Sequence, residues 1–142
     1  MLLDSIEEVL ESYRLNKYRS LFSQIKERPG SLSATEAFCV DVIKLLDQPT
    51  IKQFSDFIGI SQSNATYKIN SLIQKGYITK EVSADDRREY RLVTLEKYHR
   101  YFDADDANLA NAVKQLEEKY SPEELARVAD VLHELSRDLF DT

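Results

Sequence analysis

Gln62, Ser63, Asn64, Thr66, Tyr67, Lys68, Asn70 and Ser71 crowd hydrogen-bonding groups into ten consecutive positions. On the outer face of a helix they offer donors and acceptors of the kind that read base edges and hold phosphates, with the helix's N-terminal end best placed for bases. Asn64, Tyr67 and Lys68 stand first among them. The plainer alternative is a set of Ser, Asn and Gln side chains that cap and solvate an exposed helix. A second cluster follows in Asp85, Asp86, Arg87 and Arg88. At a hairpin tip, a long cation reaches a narrow minor groove and its enhanced negative potential. The neighbouring aspartates could orient a guanidinium through charge-assisted hydrogen bonds, while weakening any simple electrostatic clamp. The alternative here is an exposed loop whose surface ion pairs are worth little.

The elements that must position these residues are legible from periodicity. Apolar residues from Ile6 to Ile25 recur at mostly helical spacing and predict one helix over 4–28, with a capping box at Ser5 and Glu8. Pro29, Gly30 and Ser31 end it, and Ser33 with Glu36 opens a second, largely buried helix containing Ala37, Phe38, Val40, Val42, Ile43, Leu45 and Leu46. Thr50 caps a short third helix that stops at Gly59. After a three-residue turn, Ala65, Ile69, Leu72 and Ile73 give the polar helix 61–75 one packing face. Strands over 77–82 and 89–94 flank the charged turn. A short helix, a turn, a polar helix and a charged hairpin make a winged helix-turn-helix.

A helix over 95–120, interrupted in character by the polar run 103–106, precedes a last helix that Ser121, Pro122 and Glu124 start. Leu125, Val128, Leu132, Leu135 and Leu139 follow at 3-4-3-4 spacing, a seam suited to another helix. The predicted fold is mainly α with a small β-wing: one domain over 1–142, with 31–94 as the winged helix-turn-helix and 1–30 and 95–142 as dimerisation helices.

Composition narrows the function. The chain has 142 residues, 42% of them hydrophobic and 31% charged, and only three glycines and three prolines, which suits long helices with few loops. Its net charge is -6, but unevenly spread: residues 1–49 hold six basic and eight acidic groups, 50–102 nine and six, and 103–142 four and eleven. A polyanion is therefore attracted only to the middle third. One cysteine, Cys39, cannot make an internal disulfide, and its apolar neighbours suit an inert thiol better than a redox sensor. His99 and His133 are too far apart in sequence to suggest a zinc site. No Gly-rich nucleotide loop, no HExxH and no Cys/His pair point to an enzyme, and no cofactor is called for. No apolar run approaches a membrane span, and the early acidic residues rule out a signal-peptide core, so a cytoplasmic protein without a membrane partner is expected.

Residues 60–78, ISQSNATYKINSLIQKGYI, resemble the recognition helix and following turn of the MarR family of dimeric bacterial transcriptional regulators, with Ser61, Gln62, Ser63, Thr66, Leu72 and Gly76 at familiar positions. The wing's DDRR is similar to that family's Asp-x-Arg element in two registers: Asp85 with Arg87, or Asp86 with Arg87 and Arg88. Tyr67 stands where the family often has arginine, and the glycine usual after the wing's threonine is replaced by Glu96, Lys97 and Tyr98. The resemblance implies a homodimer on double-stranded DNA, a pseudo-palindromic operator with half-site centres about 10 base pairs apart. It implies a repressor released by a small molecule or other signal, with Gln62, Ser63, Asn64, Thr66, Tyr67, Lys68, Ser71, Arg87 and Arg88 on DNA. Tyr13, Phe38, Tyr98 and Tyr101 could line an effector pocket, or simply be core. The competing reading is a winged-helix protein-interaction module that has lost DNA affinity.

Overall fold

The computed structural model describes residues 1–24, 31–102 and 104–141, with the side chains at 24, 101–106 and 141 outside that description. The chain falls into two compact units, 1–105 and 106–142.

In the first unit, helix α1 runs from Leu2 to Gln24 without an interrupting glycine or proline. It starts two residues earlier than expected, and Ser5 is not its cap. The Ser5 hydroxyl donates back to the Met1 carbonyl at 3.0 Å, and the residue lies within the helix. The expected continuation from Ile25 to Arg28, and the break at Pro29 and Gly30, lie outside the described residues.

Helix α2, Ala34–Leu45, begins on the predicted Ser33–Glu36 capping box, and α3, Ile51–Ile58, on a box made by Thr50 and Gln53. Gly59 ends α3 at φ 73°. That left-handed residue aims the chain into Ile60 and Ser61, whose hydroxyl caps α4, Gln62–Gln74. Ala65, Ile69 and Leu72 of α4 are fully buried, so the polar side chains around them face outward by default.

Strands β1, Ile78–Val82, and β2, Tyr90–Thr94, pair antiparallel from Ile78 opposite Thr94 to Val82 opposite Tyr90. The far edge of β2 is tied to the α2–α3 connection: Leu92 N–H donates to the Pro49 carbonyl at 2.9 Å, and Thr50 bridges Arg91. The wing is thereby fixed to the base of the helix-turn-helix. Phe54, Leu32, Ile43, Ile69, Leu72, Ile78, Leu92 and Val40 form the solvent-excluded core among these elements.

Beyond the wing the structure describes α5, Glu96–Phe102, and α6, Ala104–Lys119; whether they join into the single helix expected over 95–120 turns on residue 103, which lies outside the described residues. In the second unit Ser121 caps α7, Pro122–Asp141, with the reciprocal bonds of a capping box to Glu124 at 3.2 and 3.3 Å. Along α7, Val128, Leu132 and Leu139 are exposed and Leu125 and Leu135 half-buried, leaving the predicted apolar seam open in the single chain. No helix among the described residues is long and apolar enough to cross a membrane.

A Cβ at Gly59 would meet nothing within 4 Å, so a side chain there is opposed by backbone conformation alone. Gly59→Ala is expected to cost about 1–2 kcal/mol and Gly59→Asn less, measured by urea denaturation with an unchanged m-value.

Candidate nucleic-acid interface

The polar helix is held in place by one carboxylate on its neighbour. Glu36 accepts the Ser33 N–H at 3.0 Å as part of the α2 capping box, and reaches α4 with both oxygens. Oε2 accepts the Ser71 hydroxyl at 2.6 Å, while Oε1 accepts the Lys75 ammonium at 2.7 Å. Lys75 also donates to the Ser31 carbonyl at 2.9 Å. Burial pushes the Glu36 carboxyl up, but the bonds from Lys75, Ser71 and Ser33 outweigh it and bring the pKa to about 2. At the C-terminal end of α4, Lys97 donates to the Lys75 carbonyl at 2.8 Å and lies over the Tyr77 ring at 4.6 Å, anchoring α5 to the same corner.

These bonds divide the predicted residues of α4 into two sets. Gln62, Ser63, Asn64 and Tyr67 are exposed, Tyr67 by 79%. Asn70, which also carries an amide, is exposed on the next turn. Ser71 is instead half-buried and its hydroxyl is used on Glu36; Thr66 donates back to the Gln62 carbonyl at 2.8 Å. Lys68 is half-buried, and its charge is felt by the Cys39 thiol of α2. Burial raises that thiol's pKa, and Lys68 lowers it part of the way back.

The wing tip is organised by Asp86. Its carboxylate accepts the Arg88 N–H at 2.9 Å and faces the Arg88 guanidinium at 3.5 Å, while its carbonyl accepts the Glu89 N–H. Arg88 therefore leans on the turn, whereas Arg87 is exposed and has no hydrogen-bond or ionic partner among the described residues. Between wing and helix lies an open cleft of about 300 Å³ lined by Thr50, Ile51, Lys52, Gln62, Arg88, Glu89 and Tyr90. It brings the predicted Gln62 and Arg88 to one surface. Lys52 and Tyr90 share that surface and were not singled out from sequence. Lys52, paired with Asp56 at 2.8 Å, could have been found from its place in the first turn of the helix that precedes the polar one.

The four aromatics grouped as an effector site are distributed differently. Tyr98 is buried, and its hydroxyl donates to Asp41 at 3.0 Å beside a Lys17–Asp41 ion pair of 3.2 Å. Tyr13 and Phe38 are about half exposed, and the Tyr101 side chain lies outside the described residues. His99 Nε2 sits 3.3 Å from the Thr94 hydroxyl, and His133 is exposed. Among the described residues, no group of His, Cys, Asp and Glu is arranged to hold a metal.

Glu36 ionises more readily folded than unfolded, so its contribution to stability is complete above the ordinary carboxylate value of 4.5 and is lost as the pH falls through about 2. Glu36→Gln keeps an acceptor for the capping box but removes the charge from Lys75. It should cost about 1–3 kcal/mol near neutral pH. In thermal or urea melts, the gap between the two proteins should close between pH 4.5 and 2; a gap that does not change with pH would contradict the role given to this carboxylate.

Comparison with known proteins shows what this region is similar to. Residues 32–90, from the start of the core to the first residue of β2, match the model of the MarR family. FabT of Streptococcus pneumoniae, solved in complex with DNA, superposes with a TM-score of 0.56 at 26% identity, over 98% of each chain. The transcriptional regulator Tm0710 of Thermotoga maritima gives 0.57 at 18% identity, over 99% of this chain and 97% of its own. A mutant of S. aureus MepR bound to an oligodeoxyribonucleotide gives 0.52 at 12% identity over 98% of each, a likeness of fold alone.

Proposed function

We propose that this chain, whose residues 32–90 match the MarR-family model, is a MarR-family protein that works as a homodimeric, sequence-specific DNA-binding regulator of transcription. In this reading α4 enters the major groove of a pseudo-palindromic operator, and the 83–89 wing follows the adjacent minor groove. The observation that carries it is the surface shared by Gln62, Arg88, Lys52 and Tyr90, beside the exposed amides and hydroxyls that begin α4. Neutral donors and acceptors at a helix N-terminal end suit base edges, and an arginine turn beside them suits a groove of negative potential. FabT, the relative at 26% identity, was solved on DNA, which supports the same use here.

Dimerisation supplies the second half-site. The open seam of Leu125, Val128, Leu132, Leu135 and Leu139 on α7 and the exposed Val9, Leu10 and Phe22 of α1 are surfaces that a second copy would cover. The regulator is a repressor that leaves DNA when a small molecule or another signal alters the spacing of its winged domains, and it acts in the cytoplasm. Tyr13, Phe38, Tyr98 and Tyr101 remain the proposed lining of the effector site.

Selection of bound fragments from a genomic pool, followed by affinity against scrambled DNA at two salt concentrations, tests the reading. The expected result is a pseudo-palindrome bound more than about a thousandfold more tightly than scrambled sequence. Uniformly weak binding would favour the protein-interaction module instead. Arg87→Ala with Arg88→Ala should weaken binding and flatten its salt dependence; an unchanged slope would contradict the wing's role. Replacing Leu132 and Leu135 with aspartate should yield monomers by sedimentation and abolish operator binding together, because one half-site holds too little affinity. A variant that stays dimeric would place the interface elsewhere.

A further inference from the structure

We infer that the base pairs read by α4 are predominantly A·T, an inference that rests on the DNA-binding reading above. The exposed chemistry of α4 is amide, hydroxyl and phenol: Gln62, Ser63, Asn64, Tyr67 and Asn70. No arginine occurs between Gln62 and Gln74. Of the two lysines at hand, Lys75 is held in its ion pair with Glu36 and Lys68 is half-buried. Guanine presents two major-groove acceptors, O6 and N7, which arginine or lysine satisfies best. Adenine presents one acceptor and one donor, N7 and N6, which match the donor and acceptor of a single Asn or Gln amide. Thymine adds a methyl group that needs an apolar surface, and the exposed Tyr67 ring supplies one.

The internal bonds sharpen this preference. Ser71 and Thr66, whose hydroxyls suit any base, donate them within the protein. Ser63, Tyr67 and Asn70 follow one another at i, i+4 and i+7, so the aromatic ring is flanked by polar groups along one exposed face. The wing points the same way by an independent route. Asp86 engages Arg88 and leaves Arg87 without a partner among the described residues, and an unengaged arginine gains most in the narrow minor groove of A·T-rich sequence.

The test uses the full-length protein and a random-sequence duplex pool, then base analogues in the enriched site. A·T pairs are expected beneath both copies of α4. Replacing the contacted adenines with 7-deazaadenine, which removes the N7 acceptor, should weaken binding about 5- to 30-fold, and uracil for thymine should weaken wild type more than Tyr67→Ser. Asn64→Arg should move one position per half-site toward guanine. Enrichment of G·C pairs there, or loss of affinity on 7-deazaguanine but not 7-deazaadenine substitution, would overturn the inference while leaving DNA binding intact. Absence of any enriched sequence would overturn the DNA-binding reading and the inference with it.

Discussion

The carboxylate of Glu36 accepts the Ser33 N–H, the Ser71 hydroxyl and the Lys75 ammonium, and through these bonds the start of α2 and the end of α4 become one rigid corner. Apolar packing of Ala65, Ile69 and Leu72 sets which face of α4 is inside, but such contacts are non-directional. The charged hydrogen bonds add the direction: they limit rotation and sliding of the helix on its neighbour. Lys97, donating to the Lys75 carbonyl, extends the corner to α5. The exposed first two turns of α4 are then presented from a fixed base, as a reader of base edges requires.

How much of this could be read in the sequence follows from the range of each interaction. The caps at Ser33, Thr50 and Ser121 depend on partners three residues away, so they are legible locally. Gly59 is legible because a tight turn after an amphipathic helix calls for a left-handed residue. The Ser5–Glu8 pattern satisfies the same spacing, yet Ser5 lies inside α1 and its hydroxyl donates to the Met1 carbonyl. Contacts between distant segments leave no such trace. Glu36 lies 39 residues from Lys75, and Asp41 lies 57 from Tyr98, so neither the corner at α4 nor the burial of Tyr98 has a local signature. For the same reason Ser71 looks like a groove contact in sequence although its hydroxyl is engaged inside.

The acidity of the chain is reconciled with the proposed polyanionic partner by where the charge sits. Residues 103–142 carry eleven acidic groups against four basic, whereas 50–102 hold nine basic against six. Within that middle third the acids are placed to organise cations: Asp56 beside Lys52, Asp86 beside Arg88. Such surface pairs contribute little to stability. The attraction that results is local and modest, so in the proposed DNA complex recognition would fall more heavily on base edges than on phosphate charge.

The most direct test of α4 and the wing as the reading surface is an amide-resolved NMR titration of the full-length protein with its highest-affinity duplex. The account predicts the largest perturbations at residues 61–70 and 84–89, with the Ser33–Glu36 corner unmoved. Perturbations that spare both segments while appearing elsewhere would contradict it.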